Sequence, residues 1–274
     1  MGLRIQTNLA SLSAQNKLSV QQQRAEHSMA ALSGGSRIVK ASDDAAGLSI
    51  SENLRGQIRG IEMAKQNASN AISLVQVSEG GLNEINNIMI RLRELGVQSA
   101  SDTVSDVERT FLNQEAKQLT AEADRIAKTT MFGNKPLLDG SGKELEFHVG
   151  AFAGEENIIR YQVSGDATGR TLGYSSISVA KKGDARKTLS TVDNVLEKLG
   201  QLRADFGAVQ SRLNTTVSNL GIQSENLSAA NSRIRDTDVA KESAELASAN
   251  ILQQAAIGVL AQANQQGASA LRLL

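Results

Sequence analysis

Cysteine is absent from the chain, which excludes disulfide staples, thiolate nucleophiles and cysteine-held metals. Tryptophan is also absent and aromatics make up only 3% of the residues, so the large side chains that dominate thick globular cores are missing. Much of the apolar count is Ala, set among Ser, Asn and Gln. Small side chains of this kind suit close helix packing, which predicts rods more than a ball. Neither sign of charge prevails, with 29 basic and 29 acidic residues. No Lys/Arg block occurs, so neither a nucleic-acid footprint nor a polybasic membrane patch is visible. The longest apolar patch, Ala255 to Ala263, is too short to span a bilayer. Met1 to Asn8 carries no continuous apolar stretch, and a cleaved secretory signal is not expected. Metalloprotease, dinucleotide, phosphate-loop and nucleophile-elbow motifs are all missing, and no cofactor is expected. Only two histidines are present: His27 in a weak terminal helix, and His148 on the polar face of a strand. An enzyme therefore has little support.

What the sequence has in quantity is helical register. From Asp44 to about Ala100, Leu54, Ile61, Ala68, Val75, Leu82 and Met89 recur every seventh residue. A second row begins four residues after the first at Ile58 and Ile72, and slips to three at Ala64, Ile85 and Leu92. Such a slip is what a nearly straight 3.6-residue helix does to a seven-residue pattern. No proline interrupts it. At about 1.5 Å per residue the helix would be roughly 85 Å long, and one apolar stripe cannot hold such a rod in water without partner helices.

The partner comes from the other half of the chain. Val192, Leu199, Phe206, Leu213, Leu220, Leu227 and Ile234 again fall every seventh residue, flanked by Val195, Leu202, Val209 and Ala230. Between the two rods, Ser105 and Glu108 form a capping box for a third helix marked by Leu112, Leu119 and Ile126. A short connection makes it antiparallel to the first rod. The period then changes to two. Leu145, Phe147 and Val149 alternate with polar residues, as do Ile159, Tyr161 and Val163, which predicts a β-hairpin with an irregular tip from Gly165 to Gly183. Gly80-Gly81, inside the strongest helical register, implies close packing or a kink.

Both ends are weaker. Ile5, Leu9, Leu12, Leu18, Ala25, Met29 and Leu32 form a loose helical row that stops at Gly34-Gly35. Ser42, Asp43 and Asp44 then offer capping oxygens to the long helix. Metal or acid/base chemistry at the paired Asp residues finds no His or further acid nearby in sequence. Asp236-Thr237-Asp238 caps a last helix carrying Leu246, Ala249, Leu252, Ala256, Leu260, Ala263 and Leu271. Ordering a backbone residue costs about 1–2 kcal/mol, against about 1.5–3 kcal/mol gained per well-buried aliphatic side chain. Seven modest side chains do not order some 30 residues reliably, so both terminal helices are expected to fold only when surrounded. Arg91, Arg93 and Glu94 cluster at one end of the long rod, either as a solvated face with local ion pairs or as a contact surface; spacing alone does not separate the two.

Several blocks together resemble one family. Leu32 to Ile38 followed by Ser42-Asp43-Asp44-Ala45-Ala46-Gly47-Leu48-Ser49 is similar to the amino-terminal signature of bacterial flagellins. Arg91 to Gln98, Asp124 to Ala127, Phe147 to Gly150, Glu225 to Ala230, Arg233 to Asp238, Ile251 to Ala255 and Leu260 to Gln265 resemble further family blocks in the right order. The likeness covers nearly the whole chain and thins between about 165 and 187. Gly34 stands where a second Ser is usual, Gln6 where Asn is common, and Gly267 where many members have Pro, which leaves open where the last helix ends.

The resemblance implies a mainly α structural subunit that polymerises with copies of itself into the flagellar filament. It implies an inner core domain from residues 1–43 and 237–274. A rod-like shell from 44–236 would include the hairpin region 140–183. Ile5, Leu9, Leu12, Leu246, Leu252, Ala256, Leu260 and Leu271 are the expected core assembly contacts. Arg37, Asp43, Asp44 and Gly47 are the signature-loop residues. Implied partners are the flagellar export apparatus and its chaperone, the filament cap and the hook-filament junction proteins. Arg91, Leu95 and Glu115 match by position a patch recognised by vertebrate Toll-like receptors in some members. An extracellular filament, exported without a cleaved signal, follows, with a sheathed or periplasmic one left open. The rival readings are a hook-filament junction protein, which shares the terminal pattern, and a cytosolic helical signalling or adaptor bundle folded from end to end.

Overall fold

The computed structural model describes residues 7–141, 144–162 and 166–271. Helices α1 (Leu9–Gly34), α2 (Ala45–Ala100) and α3 (Asp106–Thr129) lead into strands β1 (Met131–Phe132), β2 (Lys135–Pro136), β3 (Glu144–His148) and β4 (Ile158–Gln162). The short α4 (Gly169–Leu172) and the long α5 (Lys182–Arg235) and α6 (Val239–Leu271) follow. The fold is mainly helical, with long helices packed antiparallel and small two-stranded sheets in the middle of the chain, as the periodicities predict. Two compact units result, one from Ile58–Ser224 and one from Met1–Gln57 with Glu225–Leu274.

The middle unit holds the larger apolar core. Ile61, Ala68, Val75, Leu82 and Met89 of α2 are buried, as are Val192, Leu199, Phe206, Leu213 and Leu220 of α5. Direction is set by cross-contacts: Arg93 pairs with Asp193, and Glu79 with Arg203. α3 also runs against α2, its capping box formed by Ser105 and Glu108. Its buried row differs from the expected one: Ala116, Ala123 and Ala127 point inward, while Leu112, Leu119 and Ile126 lie half-buried at the edge of the core. Alanine lets the two helix backbones approach, which leaves the larger residues on the flanks. The same crowding explains Gly81, where a Cβ would sit 2.8 Å from Thr130 Oγ1 and 2.9 Å from Leu138 Cδ1. Its neighbour Gly80 faces open space.

One anchor in this unit has no sequence signal. Arg109 donates from Nε to Ser99 O at 2.9 Å and from Nη2 to Ser101 O at 2.8 Å, and pairs with Asp106 at 2.7 Å. It thereby satisfies carbonyls that the end of α2 leaves without helical partners.

The expected β-hairpin forms, and its register sets Leu145 opposite Tyr161 and Phe147 opposite Ile159. Val163 lies outside the described residues. Tyr161 packs its ring 5.4 Å from that of Phe206, which pins the hairpin to α5. The β1–β2 ribbon, turned by Gly133 at φ +61°, has no sequence counterpart because two-residue strands carry no period. The expected irregular tip contains α4 and a 3-10 turn at Tyr174–Ser176. Fully buried Tyr174 donates its hydroxyl to Ala167 O at 2.9 Å and organises this segment.

In the terminal unit α1 and α6 lie antiparallel. Asn8 Nδ2 donates to Ala263 O and Ser11 Oγ to Asn264 Oδ1, both at 2.9 Å. The buried residues of α1 are small, namely Ala14, Ala25, Ser28 and Ala31, so this seam is a close helix contact with little apolar volume.

Candidate assembly surface

The signature loop is built as a clasp within the terminal unit. Gly35, at φ +64°, ends α1 in the left-handed region that glycine adopts without strain. The chain then pairs Ser36 with Asp236 as an isolated antiparallel bridge. Arg37 N–H donates to Arg235 O at 2.7 Å, and Thr237 N–H to Gly35 O at 3.1 Å. The Arg37 guanidinium adds a bond to Ile234 O at 2.9 Å. Arg37 thus caps the carboxyl end of α5, where free carbonyls and the helix dipole favour a cation. Buried Ile38 holds the loop from inside.

Of the three candidate capping oxygens only Asp44 caps α2. Its Oδ1 accepts from Gly47 N–H at 2.8 Å while Oδ2 lies 3.4 Å from the Arg37 guanidinium. The Gly47 N–H, with help from Arg37, holds the Asp44 carboxyl below its ordinary value. A Cβ at Gly47 would overlap the Asp44 carboxylate, which accounts for glycine there. Asp43 departs from the expected role. It turns back to accept from Val39 N–H at 3.1 Å and Lys40 N–H at 2.8 Å, closing its own loop from the far side. His27, remote in sequence, lies 3.7 Å from it. A second tie comes from Arg235, whose Nη1 donates to Glu52 Oε1 at 2.6 Å.

The expected assembly contacts are spread along α1 and α6. Leu9, Leu12 and Leu252 are 60%, 51% and 46% exposed; Leu246, Ala256 and Leu260 are half-buried. Ile5 and the Leu271 side chain lie outside the described residues. Sequence periodicity passed over Ile257 and Val259, both more than half exposed, because they stand off the stripe that meets α1. Their signal is that apolar residues of α6 fall off the stripe facing α1 as well as on it.

In the middle unit Arg91 and Glu115 meet at 2.9 Å, and Arg91 also pairs with Glu94 at 2.9 Å. Leu95 is fully buried beneath them. Only Arg91 and Glu115 of that expected patch therefore present surface, because Leu95 falls on the core face of α2. Among the described residues no helix is long and apolar enough to cross a membrane.

Comparison with known proteins agrees with these elements. The bacterial flagellin N-terminal helical region matches residues 5–143, and the flagellin C-terminal helical region matches residues 189–274. A flagellin of Halalkalibacterium halodurans is 40% identical over 271 residues, covering 98% of this chain and 99% of its own. A flagellin of Bacillus subtilis is 40% identical over 303 residues, covering 99% and 100%. A flagellar filament 30.7 kDa core protein of Treponema maltophilum is 38% identical over 285 residues, covering 98% and 99%. The crystal structure of Bacillus cereus flagellin superposes with a TM-score of 0.51 at 26% identity, covering 61% of this chain and 94% of that one. The chain belongs to the bacterial flagellin family and is a structural, non-enzymatic subunit of the bacterial flagellar filament.

Proposed function

We propose that this flagellin polymerises by coupled folding of its two ends, α1 and α6 becoming ordered as neighbouring copies cover them. The observation that carries this reading is the exposure of Leu9, Leu12, Ile251, Leu252, Ile257 and Val259 on two helices whose mutual seam is mostly Ala and Ser. Such a pair buries too little by itself to offset the ordering of both segments. Glu242 of α6 is buried with its Oε1 unpartnered among the described residues, which adds a further penalty in the isolated chain. Neighbouring copies supply the missing apolar cover, and asymmetric head-to-tail contact then extends an open helical polymer.

In this reading residues 1–43 and 237–274 form the inner core of the filament and residues 44–236 the surrounding shell. Soft ends suit passage through the flagellar export apparatus with a chaperone. The cap and the hook-filament junction proteins meet the same terminal surfaces. Arg91 and Glu115 offer a surface to a Toll-like receptor. Limited proteolysis of purified monomer, with electron microscopy of the same material after seeding, tests the central claim. Early loss of roughly the first and last 40 residues is expected, with filaments from intact chain and none from trimmed chain. Protease-resistant ends and a fixed small oligomer would overturn it.

A further inference from the structure

We infer that the acidic tip of the β3–β4 hairpin in one copy docks on the basic start of α5 in a second copy, Glu155 and Glu156 meeting Lys181, Arg186 and Lys187. Both surfaces belong to the middle unit and mark its two ends. At one end Lys182, which begins α5, holds both carboxylate oxygens of Asp102, just beyond α2, at 2.6 Å. The hairpin tip lies at the other, where Ala151 packs on Gly60 and Asn67 Nδ2 donates to His148 O at 3.1 Å. From Gly60 to Ala100, α2 runs for about 60 Å. The two sets of charge cannot meet within one chain.

Each end carries a surplus of one sign. Gly183, Asp184 and Ala185 interrupt the cations in sequence, but the start of α5 gathers them. Of the acids there, Asp102 is engaged by Lys182, Asp106 by Arg109, and Glu108 by the cap of α3. Half-buried Asp184 is left to face exposed Lys181, Arg186 and Lys187, which have no ion pair among the described residues. Helix stability does not account for this placement, because the amino-terminal end of a helix disfavours cations. At the hairpin, Arg160 alone serves Glu144, Glu146 and Glu155, at 4.0, 3.0 and 2.5 Å. Exposed Glu156 has no ion pair among the described residues. Arg59, Glu62 and Lys65, nearby on α2, offset only one of these negative charges. Phe152 on the same tip is 56% exposed, an aromatic anchor of the kind that carries contact energy. An open polymer needs two different and complementary surfaces on every subunit. A basic end and an acidic tip meet that need.

The docking rests on the reading that the chain forms an open head-to-tail polymer, and the test separates the two. Because the chain has no cysteine, Glu156→Cys combined with Arg186→Cys, or with Lys187→Cys, reports on this contact alone. Oxidised filaments of either full-length double variant are expected to give a ladder of covalent oligomers, and each single variant at most dimers. Soluble monomer should give no internal bridge, since a disulfide needs Cα atoms within about 7 Å. Filaments with no ladder from either pair would overturn the docking and leave the polymer standing. A fixed small oligomer from the unaltered chain would overturn both. Should the cysteine variants not assemble, a charge series gives the decision. Lys181→Glu with Lys187→Glu, and Glu155→Lys with Glu156→Lys, should each raise the free subunit concentration beside filaments by about five- to thirtyfold at low salt. All four substitutions in one chain should reverse most of that rise, and the differences should shrink at high salt. A quadruple variant no better than the worse pair overturns the docking, as does wild-type assembly by either pair.

Discussion

Arg37 and Ile234, 197 positions apart, are joined by a 2.9 Å hydrogen bond from guanidinium to main-chain carbonyl. One side chain thereby closes the carboxyl end of α5 and, through Asp44, touches the cap of α2. The bond to an otherwise free helix-end carbonyl is worth about 1 kcal/mol. Arg37→Ala filaments should therefore depolymerise at a lower temperature than wild type. Arg37→Lys should recover only part of the loss: a single nitrogen, Nη2, reaches both partners, but lysine must bring a strongly hydrated ammonium on a more flexible stem to that same point. Identical melting of wild-type and Arg37→Ala filaments would remove the capping role.

Adjacent glycines in α2 predict opposite outcomes. Gly80 has open space where a Cβ would sit, whereas Gly81 lies against Thr130 and Leu138. Gly80→Ala should raise the unfolding free energy of the monomer by about 0.5–1 kcal/mol through helix propensity alone. Gly81→Ala should lower it by about 1–3 kcal/mol through overpacking. Chemical denaturation of the two variants checks both signs in one experiment.

The long helices, the capping box and the β-hairpin were legible in the sequence because each rests on a local pattern. Features that join distant residues were not. Asp43 looks like a helix cap beside Asp44, and only the folded loop shows it reaching back to Val39 and Lys40. Arg109 carries no periodicity that marks it as an anchor for Ser99 and Ser101. Leu95 stands near two charged residues in sequence yet faces the core, since a helix turns successive residues to different sides. On α6 apolar residues both on and off the stripe facing α1 hide which of them await a partner, because periodicity reports a single stripe.

Removing Arg109 should be far more damaging than removing its acidic partner. Its side chain is 9% exposed while that of Asp106 is 92% exposed. Arg109→Met leaves the Ser99 and Ser101 carbonyls without their donor and should destabilise the monomer by about 2–3 kcal/mol. Asp106→Asn leaves those two bonds in place and should stay within about 0.5 kcal/mol of wild type. Thermal unfolding of the two variants should separate them clearly.

Both tyrosines of the chain are held protonated beyond the usual phenol range. Burial, assisted by Asp205, pushes Tyr161 up to about 12. Burial, assisted by Asp124 and Asp166, pushes Tyr174 higher still. The folded state therefore keeps protons that the unfolded state releases near pH 10. Stability should fall as pH rises above about 10, the direction set by a raised folded-state value. Tyrosinate absorbance followed against pH should show no ordinary phenol titration in the folded chain and a late, steep rise as the middle unit opens. A smooth transition centred near pH 10 with the fold intact would contradict the burial of both rings.

Leu252 and Leu213 distinguish folding of the chain from folding of the filament. Leu213 is fully buried in the middle unit, while Leu252 is 46% exposed on α6. Leu213→Ala should destabilise the monomer by about 2–5 kcal/mol, the usual loss for an aliphatic side chain removed from a closed core. Leu252→Ala should leave monomer unfolding within about 0.5 kcal/mol of wild type. If neighbouring copies bury that side chain, the same substitution should raise the free subunit concentration beside filaments by tenfold or more, since about 1.4 kcal/mol is a factor of ten. Sedimentation of filaments at a series of total concentrations measures this directly. A Leu252→Ala protein that assembles at the wild-type concentration would mean that this face of α6 stays open in the polymer, and coupled folding would then lack its apolar drive.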